Sequence, residues 1–241
     1  MKIDIVSKDQ RYFHLCRLLN EDGYMARLCE ASEVEAPDFL ILPIKRELCE
    51  KELANLEKRI PTTTKVLYGG DEITQKYFTN RLNEYSKNEY FLIENARLTA
   101  EAFLSVWQEK TKTSLCSKKV LISGYGRIGR YLAKFLSSLG AEIYIYARRE
   151  ETVEKIKRDG FSFANLSYSP KTDAVINTAP AVLFSRELIA KIPNKVFIFE
   201  LASSSGFEDI ERVIRAPALP GRLLPKSAAE AIYKAVISYL N

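Results

Sequence analysis

Short apolar runs separated by amphipathic stretches recur along this chain, the pattern of alternating parallel strands and helices. The clearest instance lies near its middle. Val120, Leu121 and Ile122 form a β-rich apolar run of the kind buried on both faces of a sheet. Leu132, Phe135, Leu136 and Leu139 then recur at helical spacing, and Gly140 offers a natural C-terminal stop. A second strand is expected at residues 142–147, followed by a helix over 150–159 that ends at Gly160. Residues 173–177 and 195–200 predict further strands, and 212–215 a short last one. Residues 218–221 predict a turn, and 228–240 a C-terminal helix.

Residues 1–93 predict a separate, smaller α/β unit. Strands are expected at 2–6, 39–43 and 64–68, and a helix at 10–20 with Phe13, Leu15, Cys16, Leu18 and Leu19 available for its core face. Acids in the first turn mark a second helix over 71–78, and residues 90–93 close the unit. Residues 94–109 form a long helix that feeds the central strand through the polar stretch 110–118. The expected fold is α/β, with a Rossmann doubly wound parallel sheet over residues 94–221. Beside it stands a smaller flavodoxin-like domain of residues 1–93, completed by the C-terminal helix in 222–241. A helix at 94–109 would bridge the two, with its N-terminal end at the cleft.

The central strand runs into Gly124-Tyr125-Gly126-Arg127-Ile128-Gly129, and here each glycine has a reason. Gly124 makes the tight turn, Gly126 lets a pyrophosphate approach the backbone, and Gly129 lets the helix pack close on the strand. The helix N-terminus adds free N–H groups and the positive end of its dipole. A glycine motif alone is weak evidence; between a strand and a helix of a βαβ unit it marks a dinucleotide site. At the end of the second strand, where a carboxylate would bond the ribose of NAD, the chain carries Ala147, Arg148 and Arg149. Two guanidiniums suit a 2′-phosphate, so NADP is favoured over NAD, unless the arginines belong to a solvated basic loop. Asn177, Thr178, Ala179 and Pro180 leave the carboxyl end of the next strand, where ligands of doubly wound sheets lie.

Composition narrows the class. The 241 residues are 46% hydrophobic and 28% charged, as in an ordinary globular protein. The net charge of +5 is spread without a Lys/Arg block, which suits small anions and gives no reason to expect nucleic acid. Four cysteines form no CxxC, and the only histidine is His14, so no metal site is expected. No signal peptide or membrane-length apolar run is visible, and the expected compartment is the cytoplasm.

Several strings together resemble the A subunit of bacterial dipicolinate synthase, a family related in fold to the D-2-hydroxyacid dehydrogenases. They are residues 119–129, the Tyr146-Ala147-Arg148 end of the second strand, Ile176-Asn-Thr-Ala-Pro180, Leu201-Ala-Ser203, and Leu219-Pro-Gly221 with Pro225-Lys226. Asn95, Thr99 and Glu101 match the segment that leads the family's linker helix. The resemblance runs from about residue 95 to the C-terminus. It implies oxidation of a dihydrodipicolinate-type intermediate to dipicolinate during spore formation, with a nicotinamide cofactor and a flavoprotein-like second subunit. A homo-oligomer, in its simplest form a homodimer, is the expected assembly. The family's Gly-Gly-Asp-x-Arg-Gln turn is here Ser7-Lys8-Asp9-Gln10-Arg11-Tyr12, without the glycines. Its Ala-Ser-Arg-Pro loop is Ala202-Ser203-Ser204-Ser205, without the arginine.

A dicarboxylate substrate needs cationic or N–H partners. Arg11 and Lys226 match family positions for this role, with Thr99, Ser203 and Asp9 in support. Against these stand plainer roles: Arg11 as a surface helix residue, Lys226 as a helix-start lysine, and Asp9 as the cap of the first helix. Glu101 and Lys226 both qualify as the proton acceptor, provided burial shifts the pKa toward neutrality. The His–Glu pair of the D-2-hydroxyacid dehydrogenases is missing. Two other classes remain open: a dinucleotide-binding regulator or scaffold without catalysis, and an NADP-dependent dehydrogenase of another small carboxylic acid.

Overall fold

Ile3 and Ile5 are fully buried in β1 (Lys2–Ile5), the strand around which the first part of the chain assembles. In the computed structural model, which describes residues 1–240, two compact units separate. One is Met1–Asn95 together with the chain from Pro220 onward, and the other is Ala96–Leu219. The division falls between Asn95 and Ala96 and again between Leu219 and Pro220, beside the sequence-based 93/94 and 221/222.

In the first unit β1 is followed by α1 (Gln10–Glu21), β2 (Met25–Leu28), β3 (Phe39–Ile41), α2 (Glu50–Arg59), β4 (Lys65–Tyr68) and β5 (Leu82–Glu84). The strands form one parallel sheet in the order β2-β1-β3-β4-β5. Asp9 caps α1 by accepting from the Arg11 N–H at 2.9 Å. The core face of α1 is Tyr12, Leu15 and Leu19, one stripe at i, i+3 and i+7. Phe13, expected inside, is 63% exposed, because it sits beside that stripe rather than on it.

The long helix α3 (Glu89–Thr111) leads to β6 (Lys119–Ser123), α4 (Arg127–Ser138), β7 (Glu142–Tyr146), α5 (Glu150–Arg158) and β8 (Ser162–Phe163). Then come β9 (Ala174–Asn177), α6 (Arg186–Ala190), β10 (Phe197–Glu200) and β11 (Val213–Arg215). The six strands run parallel in the order β11-β10-β9-β6-β7-β8, with the winding across the sheet reversing at the β6/β9 pair. This is the doubly wound Rossmann arrangement expected. Leu121, Val175 and Ile198 on the three central strands are buried against Phe184, Ile189 and Phe207.

The chain ends with α7 (Leu219–Leu223) and α8 (Pro225–Leu240). Ala231, Ile232, Ala235 and Val236 of α8 join Ile3, Ile5, Leu15, Leu19 and Tyr85 in one core, so the C-terminal helix completes the first unit.

Three expectations change. Residues 71–78 make a single 3-10 turn at Thr74–Lys76: Asp71 accepts from the Thr74 N–H at 2.8 Å, and Phe78 and Asn80 at positive φ then turn the chain. Residues 90–93 open α3, because Asn88 caps it by accepting from the Phe91 N–H with its side chain and the Leu92 N–H with its carbonyl. Residues 218–221 hold the start of α7, and the turn contracts to Ala218 at φ 52. No helix among the described residues is long and apolar enough to cross a membrane.

If α8 is part of the first unit's core, Ile232→Ala should cost about 2–5 kcal/mol in a urea unfolding experiment. A loss below about 1 kcal/mol would mean that α8 lies on the unit without completing it.

Candidate functional site

The carboxyl end of the second sheet is shaped by side chains that are absent. Gly124, directly after β6, has φ 101, and a Cβ there would lie 2.7 Å from Thr178 Oγ1. A Cβ on Gly129 would overlap the Gly124 carbonyl oxygen, so the first turn of α4 rests on the loop itself. Gly126 is different. It is the N-cap of α4, it is exposed, and a Cβ there would meet nothing within 4 Å. The space in front of Gly126 is open for a ligand, and the first N–H groups of α4 face out from the end of the helix.

Tyr125 is buried and acts as a strut. Its hydroxyl donates to Asp159 Oδ2 at 2.8 Å and its ring meets Phe161 edge-on. Burial and the Asp159 carboxylate push its pKa far up, so it remains a donor. Arg127 is exposed and Ile128 half-buried in the first turn of α4. Past β7, Ala147 is half-buried, and Arg148 and Arg149 are exposed with no salt bridge among the described residues. Both guanidiniums are free to meet a phosphate.

The β9 end is held by Asn177, which is fully buried. Its Oδ1 accepts from Ser123 Oγ at 2.6 Å; its Nδ2 donates to the Ala179 carbonyl at 2.9 Å and to Glu200 Oε1 at 2.8 Å. Asn177 therefore shapes the Thr178–Pro180 loop from beneath. Thr178 Oγ1 donates to the Ser123 carbonyl at 3.0 Å, fastening that loop beside Gly124. Glu200, read from the sequence only as the end of a strand, is 2% exposed and is the acidic centre of this end of the sheet. The signal that could have found it is a carboxylate closing the apolar run Phe197-Ile-Phe in front of small loop residues.

The residues considered for substrate are distributed over both units. In the first, Arg11 is 7% exposed, and its Nε and Nη2 donate to the Asp9 carboxylate at 3.0 and 2.7 Å. Burial pushes the Asp9 pKa up, but the Arg11 side chain, its backbone N–H and its charge outweigh this and leave it below the usual range. Gly221 lies against the same guanidinium; a Cβ there would be 2.9 Å from Arg11 Nε. Arg11 Nη1 has no hydrogen bond to another described residue. Tyr12 and Tyr85 join hydroxyls in the core below, fixed by the Ile44 N–H and the Leu42 carbonyl. Lys226, second residue of α8, is exposed.

In the second unit Thr99 is buried on α3, and Glu101 two residues on is exposed and bonded to Arg97 Nη1 at 2.8 Å. Glu101 and Lys226 are both exposed, each on a helix of its own unit. Ser203 is exposed in the loop after β10. Among the described residues no group of three or more His, Cys, Asp or Glu side chains could hold a metal ion.

Comparison with known proteins agrees with this geometry. Residues 92–205 match the family described as D-isomer specific 2-hydroxyacid dehydrogenase, NAD binding domain. Over nearly its whole length the chain resembles the dipicolinate synthase A subunit. The Bacillus subtilis (strain 168) protein of that name is 23% identical, over 96% of this chain and 93% of its own. The crystal structure of the dipicolinate synthase A subunit from Bacillus halodurans superposes with a TM-score of 0.84 at 22% identity, covering 99% of this chain and 97% of the other. The crystal structure of a transhydrogenase from Sinorhizobium meliloti superposes with a TM-score of 0.72 at 14% identity, covering 99% of this chain and 93% of the other. The match over residues 92–205 supports a nicotinamide dinucleotide cofactor, and the open glycine cradle of the second unit fits that group.

The two glycines should separate on substitution. Gly129→Ala forces α4 away from Gly124 and should cost about 1–3 kcal/mol by denaturant unfolding. Gly126→Ala should cost under about 1 kcal/mol, since only the helix cap changes. Equal costs would mean that α4 does not rest on the loop.

Proposed function

We propose that this protein is an NADP-dependent oxidoreductase that removes hydride from a small cyclic dicarboxylic acid, a dihydrodipicolinate-type intermediate being the substrate that the resemblance to the dipicolinate synthase A subunit favours. The observation that carries the reading is the open approach to Gly126 together with the unpaired Arg148 and Arg149 just past β7. The glycine loop would take the pyrophosphate, the two arginines the 2′-phosphate, and Thr178 to Pro180 the nicotinamide side. The bound cofactor supplies a hydride acceptor; the chain supplies orientation and counter-charge.

Arg11 Nη1 is the cationic donor left for a substrate carboxylate, with Asp9 fixing the guanidinium plane. Lys226, Thr99 and Ser203 are the further polar groups of this reading, and Lys226 or Glu101 would take the ring proton. A flavoprotein-like second subunit, a homo-oligomeric assembly, a cytoplasmic location and a place in spore formation complete it. A second reading, a dinucleotide-binding regulatory or scaffold subunit, draws on the exposure of Glu101 and Lys226, since neither is held as a base. A dehydrogenase of another small carboxylic acid would keep the cofactor half and change the partners of Arg11.

Cofactor choice is tested by titrating NAD and NADP into wild type and the Arg148→Ala/Arg149→Ala double variant. NADP affinity should fall about 10- to 100-fold in the variant, with NAD affinity unchanged. Equal losses for both would remove the 2′-phosphate role.

Turnover is tested by following reduced nicotinamide with freshly made hydroxytetrahydrodipicolinate, comparing wild type, Lys226→Ala and Arg11→Lys. Activity lost in Lys226→Ala supports the enzyme reading. Tight NADP binding without turnover, even when the flavoprotein-like partner is present, would leave the regulatory reading.

A further inference from the structure

We propose that Glu200 is the positioning residue of the dinucleotide site, a buried carboxylate that ties the loop after β9 to the loop after β10 and so fixes the surface on which the nicotinamide end of the cofactor rests. The role assigned to that surface rests on the dinucleotide reading above; the clamp itself does not. Glu200 Oε1 accepts from Asn177 Nδ2 at 2.8 Å and from the Ala202 N–H at 2.9 Å, and Oε2 accepts from the Gly206 N–H at 2.6 Å. One carboxylate therefore holds both ends of the Ser203-Ser204-Ser205 segment, and through Asn177 it reaches the Ala179 carbonyl and Ser123 on β6.

The arrangement leaves little room for substitution. A Cβ on Gly206 would overlap Asn177 Nδ2, so the segment must return through glycine to reach the carboxylate. All three groups that meet Glu200 are donors, and both N–H bonds of Asn177 are committed. The ionised carboxylate matches them; a protonated oxygen would point its hydrogen at another donor. The charged group facing it from a neighbouring element is Arg215 on β11, while β6 and β9 present Ser123 and Asn177. Burial raises the Glu200 pKa above the ordinary glutamate range, and the bonds from Gly206, Asn177 and Ala202 with the charge of Arg215 only partly oppose it.

The sign of the effect is distinctive. Because the folded-state pKa is raised, the contribution of Glu200 to global stability is fully present below the unfolded-state pKa and is lost as pH rises through the folded value. The clamp runs the other way: it is complete above that value and loosens as the carboxylate protonates. Acid should favour the fold while freeing the serine segment.

The experiment follows the Ala202 and Gly206 amide resonances against pH in the cofactor-free chain, and dinucleotide affinity in wild type, Glu200→Gln and Glu200→Asp. Glu200→Gln keeps the volume but sets an NH2 against a donor, and Glu200→Asp keeps the charge but loses the reach. The Gly206 amide should titrate in one step above the ordinary glutamate pKa in wild type and not in Glu200→Gln. Both variants should bind dinucleotide about tenfold or more weakly at neutral pH, with the ratio to wild type shrinking as pH falls. A Gly206 amide that does not titrate, or a Glu200→Gln chain that binds like wild type, overturns the proposal. Wild type that binds neither NAD nor NADP overturns the cofactor reading, and the amide titration still decides whether the clamp exists.

Discussion

Helix α4 can lie against the end of β6 only because position 129 carries no side chain, a Cβ there having to overlap the Gly124 carbonyl oxygen. That contact sets much of what surrounds it. It places the first turn of α4 over the loop, which leaves the face of Gly126 open and aims the helix N-terminus at that space. Gly124 in turn needs positive φ and closeness to Thr178, whose hydroxyl bonds the Ser123 carbonyl. The loops after β6 and β9 are thus fitted to each other, and Ser123, Asn177 and Glu200 tie them from below to the loop after β10.

Such backbone constraints made the second unit legible in the sequence. Its central strands β6, β9 and β10 are buried on both faces and read as apolar runs, and its glycines stand at the offsets of a strand-turn-helix. The first unit was harder. β2 alternates exposed and half-buried residues at a sheet edge, so Met25-Ala-Arg-Leu28 carries no buried-strand signal. α2 offers Leu53 and Leu56 as its buried residues in a largely charged stretch. Tyr90 to Ile93 looks like a strand by composition, and the single residue Asn88 turns it into the start of α3.

Cofactor residues and substrate residues differ in the same way. Backbone recognition of a pyrophosphate leaves a local trace, because glycine is needed where the chain turns or comes close. The cation proposed for a substrate carboxylate leaves none: Arg11 is one residue of an N-terminal helix, its side chain is held locally by the Asp9 carboxylate, and Gly221, about two hundred residues away in sequence, lies against its guanidinium. Asp9 is the cap of α1, as weighed from sequence, and is also the partner of the Arg11 guanidinium. A cap that also holds a guanidinium makes the helix start and the cation rigid together, and this is what a carboxylate-binding arginine needs.

Glu200 shows the limit from the other side. A carboxylate at 2% exposure is costly unless its acceptor sites are filled, and here three donors fill them. The donors come from a strand end and from both ends of a loop of small residues, and no spacing rule joins them. A run of serines in that position would be loose if left to itself, since serine neither packs nor restricts the backbone. With Ala202 and Gly206 on one carboxylate the segment has fixed ends with only three residues between them, and the Ser205 hydroxyl bonds across to both the N–H and the carbonyl of Phe207. The hydroxyls of Ser203 and Ser204 are left exposed on a closed loop, not on a wandering one. Order at this edge comes from a buried charge, which gives the loop after β10 a dependence on protonation that the glycine loop after β6 does not share.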